Sequence, residues 1–177
     1  MEKWFIAAAS KQWLKAVVKQ GERLLETHRN MNSLIFSSTT SHLEELRDLQ
    51  EWIRVEEHFF AIAIGKALAW LDELGKIEPL CQQHIDDFLK KIPHAKDIRN
   101  MREHDVEYLQ GKGRKQKNFT LDFNLYDGKA SGSADASSTI VFNNDYLIGG
   151  RLNVAETIAF ADEFYELLRY NNYFSDL

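Results

Sequence analysis

Between residues 42 and 74 apolar side chains return every three or four positions: Leu43, Leu46, Leu49, Trp52, Ile53, Phe59, Phe60, Ile62, Ala63, Leu68 and Trp70. That period places them on one stripe of an α-helix, and beyond His58 the helix becomes apolar nearly all round. Such a helix cannot lie on a surface. Its second half must be the buried centre of a bundle, and the rest of the chain has to supply the cover. Ser41, with Glu44 three residues on, offers the reciprocal capping box that opens it, and Gly75 offers a stop. The most apolar run, Phe59 to Leu71, is about 13 residues with Lys66 inside it, short of the ~20 that span a bilayer, so no membrane passage is expected.

The cover is legible at the same period. Trp4, Phe5, Ala8, Trp13, Leu14, Val17, Val18, Leu24 and Leu25 predict a helix over 3–28, with Gly21 as its weak point, followed by a polar connecting loop over 30–40. A third helix is predicted over 78–91, with Pro79 in its first turn, and a fourth over 94–110, ended by Gly111 and Gly113. Trp4, Trp13, Trp52 and Trp70 fall on these stripes and read as core. The period then changes. Phe119, Leu121, Phe123 and Leu125 alternate with polar residues, which is the signature of a half-buried strand. Asp127 and Gly128 turn the chain, the small polar segment 129–138 reads as a flexible tip, and 139–142 and 146–148 read as two further strands about an Asn-Asn-Asp turn. Asn153 and Glu156 open a last helix over 154–170. The expected fold is mainly α: an antiparallel helical bundle with a small inserted antiparallel β-meander before the C-terminal helix. A chain of 177 residues is expected to form this as one domain, the bundle over 1–110 and 153–170 and the insertion over 118–150.

Charge and cysteine usage narrow the surroundings. Cys81 is the single cysteine; it can close no internal bridge and belongs to no zinc set, which fits a reducing cytoplasm. The first residues resemble a secretory signal only briefly, because Lys11, Lys15 and Lys19 interrupt the apolar run. The net charge is −5, but it is unevenly spread. From His94 to Lys117 seven Lys and Arg face four acids, so this stretch is positive while the remainder is strongly negative.

Within that positive stretch the sequence reads Ile98-Arg99-Asn100-Met101-Arg102-Glu103-His104. RNA cleavage needs a group that deprotonates a 2′-hydroxyl and a cation that holds the phosphate; imidazoles titrate near neutrality and guanidiniums grip phosphate with paired donors. On a helix Asn100 and His104 share a face, while Arg99 must reach around to join them. Arg23 and His28 have similar spacing, but Leu24 follows that arginine. Arg99 and Glu103 can equally form an ordinary i, i+4 pair on a solvated face. After the motif, Lys112, Arg114, Lys115 and Lys117 put four cations on a glycine-bearing loop able to hold phosphates, though it lacks a Walker ending.

An Arg followed by a polar residue and, four to six positions on, a His, late in a helical bundle, resembles the motif of the HEPN superfamily. The resemblance implies a helical bundle and a metal-independent endoribonuclease of the kind met in toxin–antitoxin and defence systems. It also implies a homodimer in which paired motifs face each other. Arg99, Asn100 and His104 would be the catalytic residues, and Lys112, Arg114, Lys115 and Lys117 would contact RNA. The sheet insertion lies outside that pattern. No cofactor is expected, and no metal: His42 with Glu45, His84 with Asp87 and His104 with Glu107 run in the opposite order to the Glu-first di-iron pattern. The other class compatible with the sequence is a non-catalytic helical interaction protein, an immunity or regulatory partner, in which Arg99 is tied to Glu103 and separated from His104.

Overall fold

The computed structural model describes residues 2–36, 43–125 and 127–170. Helix α1 (Lys3–Phe36) and helix α2 (Leu43–Ile77) pair along their length; α3 (Pro79–Lys91), α4 (Ala95–Glu103) and the short α5 (Asp105–Leu109) follow, and α6 (Val154–Tyr170) closes the bundle. Helix α2 packs against α1, α3 and α4, and α6 fills the gap between α1 and α3. The centre is made by Leu14, Leu24, Phe60, Ile64, Leu71 and Leu74, all essentially without solvent contact. At Gly21 side chains of both α2 and α6 press on α1: a Cβ there would stand 2.6 Å from Ile158 and 2.9 Å from Phe60. The helix-weakening glycine is thus the residue that permits close approach.

Two antiparallel sheets precede α6. Strand β1 (Thr120–Leu125) pairs with β2 (Ala130–Asp135), and β3 (Thr139–Phe142), β4 (Asp145–Ile148) and β5 (Leu152–Asn153) form the second sheet in that order. The expected single meander is therefore two sheets, and the expected flexible tip contains a strand. Gly132 lies opposite Phe123, whose ring would be 3.3 Å from any Cβ added there. Small residues with little strand preference of their own are held by backbone pairing beneath an aromatic ring. Asn143 and Asn144 turn β3 into β4 with φ of 49° and 68°, the left-handed pair that suits a tight hairpin. Phe119, Ala136, Tyr146, Ile148 and Leu152 join the helical core in one apolar cluster.

Three further expectations change. Helix α1 runs through Phe36 instead of ending near 28, because Met31 beyond that point still packs on the core. The Ser41 cap lies outside the described residues. Trp4 and Trp52 are exposed, while Trp13 and Trp70 are partly buried against the core; the indole of Trp52 instead lies under the Arg23 guanidinium, 5.8 Å from its centroid. The fourth helix is interrupted at His104, where ψ is +33°. The last helix opens as read, Asn153 Oδ1 accepting from the amide of Glu156 at 3.2 Å. No described helix is long and apolar enough to cross a membrane.

Two half-buried histidines give the fold a pH dependence. His28 stands edge-on to Tyr146 with centroids 5.0 Å apart, and burial lowers its pKa. His94 is lowered by burial and then by Arg151, against an opposing pull from Asp97. The folded values lie below the unfolded ones. The stability these groups contribute is therefore complete above the ordinary imidazole value and lost as pH falls through the depressed folded value. Melting temperature is expected to fall between about pH 7 and about pH 5, with a shallower slope in His28→Gln/His94→Gln; equal slopes would show that other groups govern it.

Candidate functional site

Helix α4 carries the motif, and what holds α4 is a buried polar cluster that the apolar pattern conceals. Glu56 and Glu57 sit side by side in the middle of α2, both buried. Glu56 forms an ion pair with Arg23 at 2.7 Å through Oε1, and its Oε2 accepts from the side-chain amide of Gln20. Glu57 receives Arg102 Nη1 at 2.6 Å, with side chains only 4% and 10% exposed. Tyr146 Oη donates to Glu57 at 2.6 Å, and the Thr139 hydroxyl donates to the same oxygen. Arg102 in turn gives Nε to the carbonyl of Ala136 (3.1 Å) and Nη2 to those of Ser137 and Ser138 (3.2 and 3.3 Å). Burial and the neighbouring Glu57 push the Tyr146 phenol far up, so it remains a donor. Arg102 is thereby the clasp between the helices and the sheet insertion, not a residue of a solvated helix face.

Arg99 lies along α2 at Gly65, where an added Cβ would meet its Nε at 2.6 Å and its Cγ at 2.8 Å. Its Nη1 donates to Asn100 Oδ1 at 2.8 Å and its Nη2 pairs with Glu103 at 2.7 Å, while Nε is buried without a partner. The motif thus forms a connected, partly buried Asn100–Arg99–Glu103 group on the flank of α4 that faces α2. His104 occupies the break between α4 and α5. Its amide still reaches back to the carbonyl of Asn100 at 3.2 Å, but its side chain is 56% exposed and among the described residues its ring pairs only with Glu107, 3.5 Å from Nδ1. Helical face geometry no longer governs its direction. Asp105 Oδ1 accepts from the amide of Val106 at 2.7 Å at the start of the new helix, and Val106 and Leu109 of α5 face solvent.

The basic loop is ordered rather than loose. Tyr108 stacks on Phe119 with centroids 5.4 Å apart; its hydroxyl accepts from the Lys115 amide (3.2 Å) and its carbonyl from Gln116 Nε2 (3.0 Å). Gly113 is pressed on the Tyr108 ring, 2.2 Å from any added Cβ. Lys115 is spent on Asp97 at 2.6 Å, and Lys112 donates to Gln110 at 3.1 Å. Arg114 and Lys117 are exposed and make no ion pair among the described residues. Asp97 lies about 200° around α4 from Arg99, so the loop docks on a different flank from the motif group.

The other candidates separate. Arg23 turns to Glu56 and His28 to Tyr146, so the second Arg–His spacing brings nothing together. Cys81 is fully buried in the core, its pKa raised to about 11 by burial and then by Glu78, which leaves an inert thiol. Among the described residues no cluster of three or more His, Cys, Asp or Glu is placed to hold a metal. No family profile, curated protein or solved structure matches the chain.

Proposed function

We propose that the chain is a HEPN-like, metal-independent endoribonuclease acting as a homodimer. The observation that carries this reading is the exposed His104 imidazole at the helix break, one turn after an arginine already organised by Asn100 and Glu103. Neutral His104 takes the proton of a 2′-hydroxyl; the freed oxygen attacks the adjacent phosphorus and the bond to the 5′-oxygen breaks. A second, protonated imidazole from the other copy gives its proton to that leaving oxygen. Arg99 holds the phosphate as negative charge builds on it, and Arg114 and Lys117 attract the RNA backbone. The products are a 2′,3′-cyclic phosphate and a 5′-hydroxyl. Purified protein incubated with single-stranded RNA in EDTA is expected to yield these ends, and intact RNA across varied sequences would end the proposal.

The dimer is supported by apolar surface on the relevant elements: Val106 and Leu109 on α5, and Trp52, Val55 and Phe59 at helical spacing on α2. Sedimentation at micromolar concentration is expected to give two copies, and Phe59→Glu/Val106→Glu to give one. A monomer in the parent chain would favour the second reading, a non-catalytic interaction partner. That reading draws support from the 2.7 Å Arg99–Glu103 ion pair and from Lys115 being engaged by Asp97.

A further inference from the structure

A cavity of about 360 Å³ opens beside the motif, between α2, α3 and α4. It is at the small end of ligand pockets, roughly 300–1,000 Å³, a size for one ring system and not for a stretch of polymer. Its interior is made by Leu68, Leu71, Ile85 and Leu89, and Lys96, Arg99 and Asn100 stand on the α4 side. The opening has a local cause. Helix α2 presents Gly65 and Ala69, four residues apart on one flank, where larger side chains would close the gap.

The hydrogen-bonding groups around this cavity are unequal. Asn100 Oδ1 already accepts from Arg99, which leaves its amide to donate. Lys96 makes no ion pair among the described residues, and Arg99 keeps one hydrogen on each terminal nitrogen beyond those given to Asn100 and Glu103. The acceptors are paired or turned aside: Asp72 pairs with Lys76 at 2.8 Å through one oxygen. Gln82 gives its amide to Asp86 at 2.8 Å, and its oxygen points at Gly75, 2.2 Å from where a Cβ would lie. An apolar slot with a donor-rich mouth, continuous with a phosphate-gripping arginine, suits a flat ring whose edge carries carbonyl oxygens and whose sugar carries a phosphate.

We infer that this cavity seats one unstacked base of the RNA, adjacent to the phosphate held by Arg99, and favours the oxo-bearing bases uracil and guanine over adenine. The inference rests on the ribonuclease reading and adds the local form of its substrate: a single-stranded segment from which a base can be turned out. Hydrophobic contact with the base faces supplies binding, and the donors select the edge.

The test uses the full chain and Ala69→Leu. Ala69 is exposed on α2, so leucine is tolerated in the helix while its side chain enters the cavity. Binding of uridine 5′-monophosphate, adenosine 5′-monophosphate and ribose 5-phosphate is followed through backbone amide shifts at low salt. Uridine 5′-monophosphate is expected to bind with a Kd of about 0.1–1 mM, shifting the amides of Gly65, Ile85 and Asn100. Adenosine 5′-monophosphate should bind more weakly, ribose 5-phosphate at least about ten-fold more weakly, and Ala69→Leu should remove the advantage of the base. Equal binding of uridine 5′-monophosphate and ribose 5-phosphate would reduce the site to a phosphate contact and overturn the inference. RNA cleavage with unchanged KM in Ala69→Leu would also overturn it while sparing the ribonuclease reading. Base-dependent binding blocked by Ala69→Leu, in a chain that cleaves no RNA, would keep the cavity as a base site and remove the ribonuclease.

Discussion

Arg102→Ala is expected to lower the melting temperature by about 6–20 °C. Among the described residues the substitution leaves Glu57 charged and buried with only the Thr139 and Tyr146 hydroxyls as partners, and it removes a donor from three carbonyls, of which that of Ser138 keeps the Gly149 amide. Breaking a buried pair by removing one member costs about 3–5 kcal/mol. For a chain of this size each kcal/mol corresponds to about 2–4 °C. Glu57→Gln/Arg102→Met should recover part of the loss, because the uncompensated charge is gone while the glutamine oxygen still accepts from Tyr146 and Thr139. Thermal unfolding followed by circular dichroism measures both. A change below about 2 °C in Arg102→Ala would mean that the ion pair is open to water in solution.

His104→Ala is expected to reduce RNA cleavage by about 10² to 10⁴ in kcat, with little effect on folding because the side chain is exposed and, among the described residues, pairs only with Glu107. Arg114→Ala/Lys117→Ala should act differently, raising KM and flattening its dependence on salt while leaving kcat close to the parent value. Single-turnover cleavage of a labelled RNA separates the two effects. Cleavage undiminished in His104→Ala would take the imidazole out of the mechanism and direct attention to the interaction-partner reading.

The bundle was readable because its cause is periodic. Leu43 to Leu74 and Ile158 to Leu168 repeat at 3.6 residues, and burial follows the repeat from Phe60 onward, whereas Leu43, Trp52 and Phe59 of the same pattern stay exposed. What escaped were features decided by a distant partner. Residues 130–135 have no strand pattern of their own and acquire one from β1. The break at His104 is a backbone event within a stretch whose side chains still suit one helix. Nothing in the residues next to Arg102 marks its role, although a signal is present in Glu56-Glu57, two adjacent acids inside an apolar run that only buried partners could accommodate. For the candidate site the types of residue were legible and their grouping was not. Arg99, Asn100 and Glu103 form one connected group, His104 stands at the break, and Lys115 belongs to the scaffold of its loop.

The clasp also orders events during synthesis. A nascent chain that has emerged through α4 holds both Glu57 and Arg102, but not the carbonyls of 136–138, the hydroxyls of Thr139 and Tyr146, or the α6 surface that covers Gly21. Those groups arrive 34 to 44 residues after Arg102 for the clasp, and later still for α6. At about 5–20 residues per second the interval before Tyr146 appears is roughly 2–9 s. For that time the helical hairpin carries two half-satisfied charges at its centre and an uncovered core face. The clasp and the cover of the core are therefore complete only once the sheet insertion and α6 can reach back to α1, α2 and α4.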